Sequence, residues 1–229
     1  EKQSADGPVI SGRQYDWLGN LNKEIDPMGH VVSYTYNSAN RVSKKQMPYN
    51  AIDYTYDNVG NVISEVNSLG QKIEYGYDAR GNQISIKRYL TGAEFVIQTK
   101  EFDGLSRVIK SKDGKGGETQ YQYDNNNRLI KIIDPISAET YYIYDNNGNK
   151  IQEINALNHS AYYQYDALNR LIKQTNALDK ETKYYYDASG NLTKVIDRQD
   201  SNGANNNHVT EYVYNNLNRK TQEKDVYGA

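Results

Sequence analysis

One phrase, an aromatic anchor followed by Asp or Asn and a polar turn, recurs ten times in this chain of 229 residues, seven of them as a tyrosine-aspartate pair. Aligned on that pair, the anchor aromatics are Tyr15, Tyr36, Tyr56, Tyr77, Phe102, Tyr123, Tyr144, Tyr165, Tyr186 and Tyr214. The steps between them are 21, 20, 21, 25, 21, 21, 21, 21 and 28 residues. A fixed period of this length marks a repeat architecture, in which each unit buries its apolar face only against its neighbours. Residues 1–229 thus read as a single array of about ten repeats of about 21 residues, longer at 77–101 and 186–213.

Each copy carries two turns. Four residues after the anchor, five copies place Gly followed by Asn: Gly19, Gly60, Gly81, Gly148 and Gly190. The other five place Asn or Ser followed by Arg: Asn40-Arg41, Ser106-Arg107, Asn127-Arg128, Asn169-Arg170 and Asn218-Arg219. Gly and Asn accept positive φ at low cost, so this position is expected in the left-handed region, with strain or a different turn at Ser106. The second turn is expected eleven residues after the anchor, at Asp26, Asn67, Asp113, Asp134, Asn155, Asn176, Asp197 and Asp225. Met47 and Arg88 depart from it, and Pro48 shifts one turn by a residue.

Between turns lie segments such as "RLIKIID" and "AETYYIYD", rich in β-branched and aromatic residues and only about five to eight residues long, which is strand patterning. The expected fold is all-β, a meander of about twenty antiparallel strands without a helix. Tyrosine recurs two residues before the anchor at Tyr34, Tyr54, Tyr75, Tyr121, Tyr142, Tyr163, Tyr184 and Tyr212. Residues i and i+2 share a face of a strand, so these two positions place seventeen of the 23 tyrosines on one side of the sheet. Equivalent strands are two steps apart, roughly 10 Å, so the rings need neighbours from the strand between them. Leu21, Val42, Val62, Val108, Leu129, Leu171 and Leu192 fill that place. So wide a sheet must curl or wind. The insertion after Tyr77 reads as an extended hairpin with Thr91-Gly92 at its tip, and the one after Tyr186 as a protruding polar loop.

Composition agrees with a wall built on tyrosine. Only 37% of residues are hydrophobic even with the tyrosines counted, against roughly 45–50% apolar in ordinary domains. Net charge is −2, with 27 basic and 29 acidic residues, which does not favour nucleic acid or an anionic membrane as partner. Cysteine is absent, excluding disulfides and thiolate metal sites, and no apolar run is long enough to span a bilayer. The chain reads as a mature product or a piece of something longer.

No catalytic, cofactor or metal constellation emerges. His30, His159 and His208 are expected as solvated residues in or beside turns, without a metal-like partner spacing. The aspartate after the anchor is expected to bond its own backbone two residues on. "DGKGGET" at 113–119 lacks the ending of a phosphate loop, and the sequons at Asn158 and Asn191 are expected by chance in an Asn-rich chain. The arginines Arg41, Arg107, Arg128, Arg170 and Arg219 share one register. Two readings stand: each pairs with the aspartate of its own or a neighbouring turn, or the row contacts glycans or another partner.

The phrase "YDALNRLIKQTNALDKETKYYYDASGNLTK" resembles the YD repeats of the Rhs family, and the resemblance covers about Tyr15 to Gly228. That family includes bacterial Rhs and wall-associated polymorphic toxins, Tc toxin shell components and teneurins. The resemblance implies a curved or spiralling β-sheet, a segment of a YD-repeat shell that encapsulates or presents a C-terminal toxin. It implies a secreted or cell-surface bacterial protein, with the remainder of its own polypeptide and the toxin cargo as partners. The family's paired-aspartate self-cleavage motif is not here, so no enzyme activity and no cofactor are expected. The alternative is a carbohydrate-binding or adhesion module using exposed tyrosine and arginine rows.

Overall fold

The computed structural model describes residues 12–89, 95–198 and 207–227. These form twenty strands, every described pairing antiparallel, and no helix. The chain divides into two compact units, Glu1–Glu118 and Thr119–Ala229. The first contains β1 (Gly12–Tyr15), β2 (Leu21–Ile25), β3 (Val31–Tyr36), β4 (Val42–Met47), β5 (Asn50–Tyr56), β6 (Val62–Asn67), β7 (Lys72–Tyr77), β8 (Gln83–Tyr89), β9 (Phe95–Phe102) and β10 (Val108–Lys112). The second contains β11 (Glu118–Tyr123), whose first residue lies at the division, then β12 (Leu129–Ile133), β13 (Glu139–Tyr144), β14 (Lys150–Ile154), β15 (Ser160–Tyr165), β16 (Leu171–Thr175), β17 (Glu181–Tyr186), β18 (Leu192–Arg198), β19 (Asn207–Tyr214) and β20 (Lys220–Tyr227). Within each unit every strand pairs with the next in sequence, giving an open, unclosed meander.

The anchor ends each odd-numbered strand, and the aspartate after it builds the turn. In the turn after Tyr165, the Asp166 amide donates to the Arg170 carbonyl at 2.9 Å and the Asn169 amide returns to the Asp166 carbonyl at 3.0 Å. Asp166 Oδ1 accepts the amides of Leu168 at 2.9 Å and Arg170 at 3.0 Å, as expected for an aspartate bonding its own backbone. Asn169 has φ of 60°, and Gly19, Gly60, Gly81, Gly148 and Gly190 are likewise left-handed. At Ser106 the turn is not a different one: with φ of 60° the serine takes the same left-handed turn as its asparagine sisters, a conformation that costs a serine more than an asparagine.

The second turns use the same construction, as at Asp26, where Oδ1 accepts the amides of Met28 and His30. Met47 and Asn50 close a tight two-residue hairpin over Pro48-Tyr49. Two expected turn residues are strand residues instead. Asp197 pairs with Thr182 and His208, and Asp225 with Thr210, because β18–β20 extend the ladder past the usual turn position. His208 is therefore in a strand, not a turn. The tip at Thr91-Gly92 and most of the polar loop before β19 lie outside the described residues.

Every anchor hairpin contains a β-bulge. Gln164 faces Lys173 but Tyr165 faces Leu171, leaving Ile172 as the extra residue, and all ten anchors repeat this slip. Bulges bend and twist the strand that carries them. Packing is shallow: among described residues no side chain falls below 2% exposure, and the buried residues are Ala51, Ser64 and Thr210. The tyrosine face is nonetheless the covered one. In β13, Tyr142 and Tyr144 are partly covered while Tyr141 and Ile143 are 37% and 41% exposed. Stability must come from contacts between adjacent strands and repeats rather than from a deep core.

Candidate functional site

The recurrent chemistry of the chain lies where one repeat meets the next. Tyrosine has a large apolar ring and a hydroxyl that needs a partner when covered. Here the anchor ring lies over the preceding even-numbered strand and its hydroxyl donates to that strand's first carbonyl. Tyr36 reaches Leu21 at 2.8 Å, Tyr56 Val42 at 2.7 Å, Tyr77 Val62 at 3.0 Å and Tyr144 Leu129 at 2.8 Å. Tyr165 reaches Lys150 at 3.1 Å, Tyr186 Leu171 at 2.9 Å and Tyr214 Leu192 at 3.0 Å. The residues expected to lie between the tyrosine rungs thus also accept their hydroxyls. Phe102 has no hydroxyl to offer. Burial raises the hydroxyl pKa of Tyr36, Tyr54, Tyr142, Tyr165, Tyr184 and Tyr186. Tyr75 is pushed up to about 12, by burial first and then by the charge and hydrogen bond of Glu65.

The arginine row serves the same junction. Arg107, Arg128 and Arg170 each donate Nε to the aspartate of their own turn, Asp103, Asp124 and Asp166, at 2.7 Å. The Arg107 side chain holds the Asp103 carboxyl below its usual range, and the backbone amides of Arg128 and Arg170 do most for Asp124 and Asp166. The guanidinium then crosses to the following repeat. Arg41 stands 5.5 Å from the Tyr56 ring, Arg128 4.8 Å from Tyr144 and Arg170 4.6 Å from Tyr186, all within cation–π range. Their Nη1 atoms donate to the Asp57, Asp145 and Asp187 carbonyls at 3.1, 3.0 and 3.4 Å. Arg41 has Asn37 in its turn, so only the crossing contacts hold it. Arg219 also has an asparagine, Asn215, whose Oδ1 accepts the Arg219 backbone amide at 3.0 Å, and its side chain is exposed.

Glycine turns make the junction differently, a link that sequence reasoning missed. Asn20 and Asn40 exchange side-chain bonds at 2.6 and 3.1 Å, Asn82 donates to Ser106 at 3.1 Å, Asn149 to Asn169 at 2.8 Å and Asn191 to Asn218 at 3.0 Å. The glycine turns at Gly19, Gly81, Gly148 and Gly190 are thus each followed by a turn whose left-handed residue carries an acceptor. The crossing arginines Arg41, Arg128 and Arg170 are followed by Gly60, Gly148 and Gly190. At Gly60 a Cβ would stand 3.1 Å from Arg41 Cζ. The order of turn types that looked irregular in sequence was the available signal, broken only at Gly60–Gly81 and Ser106–Asn127. Large apolar residues at the turn tips were also missed: Met28, Leu69, Ile136, Leu157 and Leu178 are 72–84% exposed.

An open depression in the second unit is lined by Asp145, Asp166, Tyr163 and Tyr165, but both carboxylates already accept their turn amides. Among the described residues no group of three or more His, Cys, Asp or Glu is placed to hold a metal. His30 pairs with Asp26 at 2.8 Å, and His208 lies 3.5 Å from Asp225. No described helix is long and apolar enough to cross a membrane.

Residues 56–89, 102–135 and 165–201 match the family model described as RHS Repeat. No curated protein matches the chain. Among solved structures, TcdB2-TccC3 superposes with a TM-score of 0.74 at 19% identity, covering 89% of this chain and 13% of that one. The complex TcdB2-TccC3-Cdc42 gives 0.73 with the same identity and coverage. A Tc holotoxin pore from Photorhabdus luminescens with a mutated TccC3 gives 0.63 at 16% identity, covering 92% and 16%. The chain thus spans between 13% and 16% of those chains' length, and at these identities the likeness is one of fold. Three stretches of this array of ten hairpins, each ending its first strand on an aromatic anchor, thus match RHS repeats, and the likeness to the solved structures is one of fold.

Proposed function

We propose that this chain is a continuous segment of a β-sheet wall that encapsulates or presents a C-terminal toxin, in a secreted or cell-surface bacterial protein. It works as a structural module without enzymatic activity, its partners being the rest of its own polypeptide and the toxin cargo. The observation that carries the reading is the junction itself. Seven anchor tyrosines reach the preceding repeat, and three arginines reach the following one. Side chains committed in this way make a wall, and four of the five arginines assigned to glycans in the alternative already have protein partners. The exposed apolar turn tips are surfaces that adjoining parts of a larger wall would cover. Sequencing the gene on both sides tests the reading. Further tyrosine-aspartate repeats followed by an unrelated domain are expected; a receptor ectodomain with no cargo domain would overturn containment.

A further inference from the structure

Inside the array, the row of tyrosines two residues before the anchor is interrupted at one copy. The copy anchored on Phe102 carries Lys100 in that place. The first copy carries Arg13, but Glu24 stands opposite and pairs with it at 2.9 Å. Opposite Lys100 stands Ser111, which bears no charge. Lys100 is exposed and makes no ion pair among the described residues. In sister copies a tyrosine ring stands opposite an aliphatic residue: Tyr75 opposite Ile86, Tyr121 opposite Ile132 and Tyr184 opposite Val195.

Where the ring is missing, the surface is hollow. A cavity of about 250 Å³ lies within the first unit, with Ile84, Ile86, Gln98, Lys100, Ser111 and Asp113 among its lining residues. The pairings Tyr75–Ile86, Ile86–Gln98 and Lys100–Ser111 put four of these on the tyrosine face, Lys100 being two residues from Gln98. Asp113 is the one acidic residue in the lining. Its Oδ1 already accepts the amides of Lys115 and Gly117, both at 2.8 Å, which commits its charge to the turn.

We propose that this hollow is a binding site for a single aromatic ring that carries a carboxylate on a short arm. Size sets the first part of that class. An apolar cavity of about 150 Å³ holds benzene, so the hollow admits one ring with a small substituent and little more. The sister copies set the second, since a phenol ring is what occupies this register elsewhere in the sheet. Charge sets the third: Lys100 offers an ammonium without a protein carboxylate, and Ile84 and Ile86 offer the apolar surface that a ring covers. The site needs neither cargo nor a further repeat, so it does not rest on the wall reading.

The test titrates the full chain with 4-hydroxyphenylacetate, a tyrosine side chain ending in a carboxylate, and follows the amide resonances of β8 to β10. A dissociation constant of about 0.1–1 mM is expected for so small a ligand. The neutral 4-hydroxyphenylacetamide should bind about twofold to fivefold more weakly, and Lys100→Met should remove that difference between acid and amide. Lys100→Tyr restores the missing rung and should abolish binding with the thermal unfolding midpoint undiminished, which separates a filled cavity from a damaged fold. N-Acetylglycyl-tyrosine distinguishes the sources of the same chemistry. Tighter binding than the free acid assigns the site to a polypeptide C-terminus, and weaker binding assigns it to a small aryl acid. Absence of shifts in β8 to β10 at about 10 mM acid would overturn the proposal. So would equal affinity for acid and amide in the parent chain, or undiminished binding by a folded Lys100→Tyr variant.

Discussion

Tyr186 and its neighbour Tyr185 give a direct measure of what a repeat junction contributes. Adjacent residues of β17 point to opposite faces. Tyr186 donates its hydroxyl to the Leu171 carbonyl at 2.9 Å beneath the Arg170 guanidinium, whereas Tyr185 is 45% exposed on the other face. Tyr186→Phe removes one hydrogen bond and keeps the ring, so it should cost about 1 kcal/mol, the usual net worth of such a bond. Tyr185→Phe should stay within about 0.5 kcal/mol of the parent. Arg170→Ala combined with Tyr186→Ala in a double-mutant cycle isolates the stacking, since the Arg170–Asp166 pair appears in both arms and cancels. A coupling of about 0.5–1 kcal/mol is expected. Urea unfolding followed by circular dichroism and by tyrosine fluorescence provides the assay, with coincident transitions required before free energies are compared. Equal losses at Tyr185 and Tyr186 with zero coupling would refute the view that stability resides in the junctions.

Gly60→Ala should destabilise by about 1–3 kcal/mol, because it forces positive φ on an alanine and presses its Cβ on Arg41; Gly19→Ala, whose Cβ meets nothing, should lose less in the same melts. The carboxyls of Asp103, Asp124 and Asp166 are lowered in the fold. Their stabilisation is therefore complete above the ordinary carboxyl range and is lost as pH falls through the lowered values; Asp166→Asn should flatten that acid limb in urea midpoints measured against pH. Tyr75 is raised to about 12, so its contribution is full below the ordinary tyrosine value near 10 and is lost as pH rises toward 12. Absorbance of tyrosinate should show ionisation lagging in the folded chain, and Tyr75→Phe should remove part of the alkaline loss.

Sequence alone determined the repeat, its period, the strand and turn positions and the shared tyrosine face. These are local or periodic properties: an aspartate bonding its own turn and a glycine or asparagine accepting positive φ act within five residues, and a period of two fixes a face. Where the local rule competed with pairing, pairing won. Asp197 and Asp225 look like turn residues yet lie in strands, because β18 to β20 found longer partners. What only the tertiary structure decided is what crosses from one repeat to the next. That Tyr186 bonds the Leu171 carbonyl, that Arg170 belongs to both Asp166 and Tyr186, and that Asn149 meets Asn169 depend on registers set by a bulge in every anchor hairpin. A bulge moves one strand by a single residue against its partner, and every repeat carries the same bulge, so the alignment of the chain with itself could show ten similar units but not the joints between them.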